Sequence, residues 1–306
     1  MNDTNSIYES PGLNHVFIQK KSIDKPLKKP RLIKAYRNES FLNSSEARPI
    51  RILSEYLEVA GRLRHRGIKD TIVFYGSARF KSRLEAEEQL AAVTREMAAV
   101  KAPDAALIEK LKAAERDLKN SRYYEEARQL AFLLAKWSQE LNEKHRFIVC
   151  SGGGPGIMEA ANRGAAEAGS PTIGMNISLP FEQEANPYIT EDLSFEFHYF
   201  FMRKFWFVYL AKGLVVFPGG FGTMDELFEL LTLRQTEKVK KKMCVIIYGT
   251  EFWREVVNFP KLVEWGVISP QDLNLFYMAD DPQTAFQILS SHLQKEFIDK
   301  TNSLSL

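Results

Sequence analysis

The chain is short of cysteine. Its 306 residues hold two, Cys150 and Cys244, each at or within a segment expected to be a buried strand. Both read as small core hydrophobes in a reducing cytoplasm, and neither a disulfide framework nor a thiolate metal site is expected. Long apolar runs are missing too: stretches such as Trp206 to Ala211 fall far short of a membrane span. Residues 1–20 lack the basic-then-apolar order of a secretory signal. No excess of one charge exists either. The formal charge is +2, so whole-molecule attraction to nucleic acid or membrane is not implied, and neither is expected as a partner. The histidines, His15, His65, His145, His198 and His292, have no partners at metal-site spacing, and no metal is expected. Also absent is any glycine-lysine-serine/threonine triplet, which excludes a P-loop. No lysine sits in the setting of a pyridoxal-phosphate site, and no cofactor is expected.

What the chain does have is apolar residues, 45% of the total, enough for a large core, as one big domain or one domain with appendages. Residues 1–45 are rich in Asn, Ser, Lys and Pro without a period and read as a mostly disordered tail. Within it Lys20, Lys21, Lys25, Lys28, Lys29, Arg31, Lys34 and Arg37 face only Asp24, which fits either contact with an acidic partner or a solvated tail. Residues 46–306 form the single expected folded domain. Ile50, Leu53, Leu57, Ala60 and Leu63 recur at helical spacing and predict a helix ending near Gly67.

Thr71 to Tyr75 predicts a first buried strand, followed by the small-residue turn Gly76-Ser77-Ala78-Arg79, able to receive an anion. The roughly seventy residues before the next strand are too long for an ordinary crossover. An inserted helical hairpin over about 82–145, divided at Pro103, accounts for them. Phe147 to Cys150 predicts the second strand, and Ser151-Gly152-Gly153-Gly154-Pro155-Gly156 a second glycine turn opening a helix through Ala168. Thr172 to Ile177 is a third strand, 178–198 a polar loop carrying Glu182 and Glu184, and Tyr199 to Leu210 an aromatic, largely buried helix. Its cations Arg203 and Lys204 need anionic partners, either a ligand or a structural ion pair.

Leu214 to Phe217 has no polar residue and predicts a strand buried on both faces. Pro218-Gly219-Gly220-Phe221-Gly222 then breaks the pattern, and a helix follows. Because Thr223, Met224 and Asp225 stand where a third glycine belongs, this is not the dinucleotide fingerprint. Thr223 is the expected N-cap and Glu226 the third residue of a capping box. Strand, glycine turn and helix N-terminus together suit a phosphate; the same residues also fit a tight turn in which Glu226 caps its own helix. Met243 to Tyr248, Phe252 to Trp265, Phe276 to Met278 and Pro282 to Ile298 complete the alternation as strand, helix, strand and helix. Two glycine turns leaving apolar strands imply a crevice along the carboxyl edge of one sheet. The fold class expected is α/β, a doubly wound parallel Rossmann-like sheet with an inserted helical hairpin and an N-terminal extension.

Three segments, SGGGPGIMEAANRGA at 151–165, MRK at 202–204 and PGGFGTMDE at 218–226, resemble the LOG ("lonely guy") phosphoribohydrolases, long described as lysine decarboxylases. The N-terminal extension and helical insert resemble the larger bacterial members. The resemblance implies hydrolysis of the N-glycosidic bond of a nucleoside 5′-monophosphate, AMP or a cytokinin ribotide, to free base and ribose 5-phosphate. It implies catalytic roles for Arg203 and Glu226 and substrate contacts at Lys204, Gly220, Phe221, Gly222, Thr223, Thr232 and Glu184, and at least a homodimer. The residue reading adds Gly76, Ser77, Gly153, Gly154 and Gly219 to the substrate site. A different class stays open on the residues alone: a protein that binds a nucleotide or pterin cofactor without cleaving it.

Overall fold

A computed structural model describes residues 32–141, 147–179 and 184–299. The basic run from Lys20 to Arg31, His15, His145 and Glu182 lie outside the described residues. The chain divides into a unit ending at Arg48 and a unit from Pro49 onward. In the first, residues 35–42 are helical where the sequence suggests disorder: a 3-10 turn, Ala35–Arg37, precedes α1, Glu39–Leu42. Asn38 caps α1 by accepting from the Phe41 amide at 3.3 Å, the local bond that turns a polar stretch into a helical start.

The second unit takes in α2, Arg48–His65, from its second residue onward, and then β1, Asp70–Tyr75. Helices α3, Arg83–Ala98, and α4, Ala105–Glu140, form the long connection to β2, Phe147–Ser151. Then come α5, Ile157–Glu167; β3, Thr172–Ile177; β4, Ser194–Phe197; and α6, Phe200–Leu210. Next are β5, Ala211–Val216; α7, Phe221–Gln235; and β6, Cys244–Tyr248. The chain closes with α8, Thr250–Val256; α9, Phe259–Glu264; β7, Tyr277–Ala279; and α10, Pro282–Leu293.

All seven strands are parallel, in the order β4-β3-β2-β1-β5-β6-β7. This is a doubly wound Rossmann-like sheet. The winding reverses between β1 and β5, so the connections leaving their carboxyl ends diverge and open a crevice there. Side chains alternate across each strand. Ile72 and Phe74 of β1 pack with Leu130 and Leu134 of α4 and with α5 and α10 on one face. Val73 and Tyr75 pack with Trp206 and Phe207 of α6, Leu227 and Leu230 of α7 and Val59 of α2 on the other.

Several elements differ from the sequence expectation. The second half of α4 packs on the sheet of its own domain, adding Tyr123 and Tyr124 to the apolar face of Ala127, Leu130, Ala131 and Leu134. Only α3 and the first half of α4 stand apart, joined by the small cluster Val93, Leu107 and Ala114. β4 was hidden in the polar loop, because an edge strand with Phe195 and Phe197 buried and Glu196 outward carries only two apolar residues. The expected helix 252–265 is two helices, since Asn258 caps a new one through the Lys261 amide at 3.1 Å with Pro260 in its first turn. α6 is not largely buried: Met202, Trp206 and Phe207 are inward, while Phe201 and Tyr209 are each 55% exposed.

Candidate functional site

The crevice at the reversal point is a cavity of about 660 Å³. One wall is the turn after β1, Gly76 to Arg79, and another is the start of α7, Gly220 to Met224. Both turns are fixed by backbone bonds: the Ser77 amide donates to Pro218 O, and the Ile157 amide donates to Ser77 O, each at 3.0 Å. Close approach is what demands glycine at Gly156, where φ is +70° and a Cβ would lie 2.3 Å from Ser77 O.

The expected capping box is not formed. The chain leaving β5 stays extended as far as Gly220, which is the N-cap, so α7 begins at Phe221, two residues before Thr223. Gly220 has no side chain to satisfy the first amides of the helix, and the residues that carry them, Phe221, Gly222 and Thr223, line the cavity. The Thr223 side chain folds back over Gly219, where a Cβ would meet its Oγ1 at 2.2 Å. Glu226 falls in the second turn of α7, freed from any capping role, and lines the cavity at 8% exposure.

Its partner is Arg203, delivered by α6 from the same face of the sheet. Arg203 Nη2 lies 3.6 Å from Glu226 Oε1, and the two side chains are 15% and 8% exposed. The guanidinium sits over the rings of Phe200 and Phe207 at 5.6 and 5.5 Å, and its buried Nε has no hydrogen-bond partner among the described residues. At 3.6 Å the contact is an ion pair rather than a hydrogen bond, so both groups keep bonding capacity for a ligand. Burial pushes the Glu226 carboxyl up to about 7, against the pull of Arg203 and Lys204. Burial likewise lowers Arg203, against the attraction of Glu226. Burial, reinforced by the Glu226 charge, holds the Tyr75 hydroxyl well above the usual phenol range, so it stays a donor facing the pair.

The other site residues divide. Gly76, Ser77, Gly220, Phe221, Gly222 and Thr223 line the cavity with Arg203 and Glu226. Lys204 does not: one residue along α6 it points to the outer side of α7, pairing with Asp225 at 2.7 Å and Glu229 at 2.8 Å. Thr232 lies three turns along α7, its hydroxyl donating to Phe228 O at 2.7 Å. Glu184 is exposed and outside the lining. Gly153 and Gly154 brace the loop instead, their carbonyls accepting from Asn186 Nδ2 at 3.0 and 3.1 Å. Gly153 has φ +76°, and a Cβ there would meet Asn176 Oδ1 at 2.4 Å. Gly219 carries the folded-back Thr223. Lining residues that sequence reasoning passed over include Tyr75, Gly152, Met158, Asn176 and Phe200; strand alternation marks Tyr75 as facing the α6 side, but nothing local marks the other four.

Among the described residues, no group of three or more His, Cys, Asp or Glu could hold a metal ion. No described helix is long and apolar enough to cross a membrane.

The pyrimidine/purine nucleotide 5′-monophosphate nucleosidase of Escherichia coli (strain K12) is 34% identical over 112 residues, which are 32% of this chain and 23% of that protein. Its counterpart in Escherichia coli O157:H7 matches to the same extent. The chain thus spans under a quarter of the length of these curated relatives. Among solved structures, the X-ray structure of TM1055 covers 72% of this chain and 99% of its own at 20% identity, TM-score 0.43. The Moco carrier protein of Chlamydomonas reinhardtii covers 74% and 99% at 20% identity, TM-score 0.40. Residues 158–289, which supply α6, β5 and α7 and with them both Arg203 and Glu226, match the model of the family described as possible lysine decarboxylase.

Proposed function

We propose that this protein hydrolyses the N-glycosidic bond of a nucleoside 5′-monophosphate, releasing the free base and ribose 5-phosphate. The observation that carries this reading is the buried Glu226 carboxyl, free of any capping bond and 3.6 Å from Arg203, beside the open N-terminus of α7. The match to nucleotide 5′-monophosphate nucleosidases supports it; a decarboxylase reading has no pyridoxal-phosphate lysine to rest on.

The 5′-phosphate sits against the amides of Phe221, Gly222 and Thr223, where unpaired N–H groups and the helix dipole favour an anion. Glu226, one turn deeper, faces the ribose rather than the phosphate. As the bond from the anomeric carbon to the base nitrogen lengthens, its electron pair leaves with the base and positive charge grows on the sugar. The Glu226 carboxylate stabilises that charge or takes a proton from the attacking water. Arg203 holds the carboxylate by charge across 3.6 Å and, lining the cavity, is placed for its guanidinium to contact the nucleotide. Phe200, Met158 and the 94%-exposed ring of Phe221 offer apolar surface to a base.

The test is a panel of purine, pyrimidine and cytokinin 5′-monophosphates with chromatographic detection of free base. Release from at least one is expected, and E226Q should lower turnover by about 10²–10³. No base from any member would refute the reading, and stoichiometric, unhydrolysed nucleotide in the purified protein would favour a binding module instead. A homodimer belongs to the same proposal. Leu53 and Leu57 of α2 and Phe201 and Tyr209 of α6 are each more than half exposed, on helices joined through Tyr56 and Phe205 at 5.8 Å; such an apolar face suits a second copy.

A further inference from the structure

A second cavity, about 700 Å³, lies on the other side of the turn after β1. The two share Ser77, Ala78 and Arg79 as a common wall, so Arg79 borders both. The far wall of the second comes from the long β1–β2 connection: Lys81 and Glu85 at the start of α3, and Arg116, Asp117 and Asn120 on α4.

The charges in this groove divide into committed and uncommitted groups. Glu85 is taken up by capping Ser82, accepting from its amide at 3.0 Å and its hydroxyl at 2.8 Å. Glu159 accepts the Tyr124 hydroxyl at 2.6 Å. Asp117 is held by Lys81 at 3.1 Å and lies 4.0 Å from Arg116. Arg79 is different: its amide donates to its neighbour Ser77 Oγ at 3.1 Å, yet its guanidinium has no ion pair among the described residues. The turn that carries it is locked to β5 and α5 through the Ser77 bonds above. An unpaired guanidinium on a rigid turn, with a second arginine on the same groove that is only loosely paired, leaves charged donors for one more anionic group.

We infer that Arg79 and Arg116 form a second anion subsite, walled by the helical hairpin, for a further phosphoryl group on a nucleotide seated in the main cavity. The ligand class is a nucleotide with two separate phosphoryl positions to satisfy, one at the N-terminus of α7 and one across the Arg79 turn. The extra helices then have a chemical role: they supply the opposite wall of the annex.

The inference rests on the main cavity being a nucleotide site, and the experiment keeps the two separable. In an E226Q background, to prevent turnover, calorimetry would measure AMP, ADP and adenosine 3′,5′-bisphosphate against the parent and against added R79A and R116A. At least one two-phosphate ligand should bind about tenfold more tightly than AMP; R79A should abolish that advantage, and R116A, which lines only the second cavity, should reduce it with AMP affinity unchanged. Arg254→Ala, an equal charge change elsewhere on the surface, should leave the advantage intact. Equal affinities for all three ligands, loss of AMP binding in R116A, or an equal loss in Arg254→Ala would overturn the subsite and leave the hydrolase reading standing. Absence of base release in the monophosphate panel, with the tenfold preference present, would overturn the activity and leave the subsite.

Discussion

Ionisation of Glu226 should make the folded state sensitive to pH near neutrality, and E226Q should remove that sensitivity. An ordinary carboxyl titrates near 4.5, whereas burial lifts Glu226 to about 7. Between those values the folded protein holds a proton that the unfolded chain has released, so stability falls as pH rises. The contribution is complete below about pH 4.5 and lost above about pH 7. A shift of this size corresponds to about 3 kcal/mol at 1.36 kcal/mol per unit. Denaturant unfolding of both proteins from pH 5 to 8.5 measures it. The substitution adds a constant offset, because Arg203 loses its carboxylate partner, but the difference between the two proteins should move by about 3 kcal/mol in favour of E226Q across that range. In thermal unfolding this is a relative shift of about 6–12 °C. Parallel curves would refute the argument and mean that the carboxyl is ionised throughout, with Arg203 outweighing burial.

The same titration should appear in catalysis: if the carboxylate is the working form, kcat/KM falls about tenfold per pH unit below about pH 7, and a rate that instead falls above pH 7 would make Glu226 a proton donor. Gly156→Ala should cost at least about 3 kcal/mol, from its left-handed backbone and the 2.3 Å approach to Ser77 O, against about 1–2 kcal/mol for Gly169→Ala, where φ is +74° but nothing lies within 4 Å; equal losses in denaturation would mean the β1 turn yields. Phe201→Glu with Phe205→Glu should convert a dimer to a monomer in sedimentation without loss of secondary structure, since both rings are more than a third exposed; a parent that sediments as a monomer would sink the interface. Asn162→Ala should destabilise by about 2–3 kcal/mol, because the buried Asn162 Oδ1 accepts from Ser151 Oγ at 2.6 Å and from Asn186 Nδ2 at 2.9 Å, and its loss leaves the Ser151 hydroxyl without its acceptor.

Sequence by itself determined the alternation of strands and helices, the two glycine turns and the carboxyl-edge crevice, because strand burial and glycine conformation are properties of neighbouring residues. It also singled out Arg203 and Glu226, through motifs short enough to be read locally. The tertiary structure alone decided what those residues face. Arg203 and Lys204 are adjacent in the chain, yet about 100° apart around α6, so one enters the cavity and the other clamps α7. The capping box fitted its local pattern, but the end of β5 and the packing of Thr223 on Gly219 set the start of α7 earlier and released Glu226. Gly153 and Gly154 look like a phosphate cradle in one dimension, whereas Asn176 and Asn186, distant in sequence, take up the space and the carbonyls. Helix register, sheet order and contacts between remote segments are cooperative, and no window of neighbouring residues contains them.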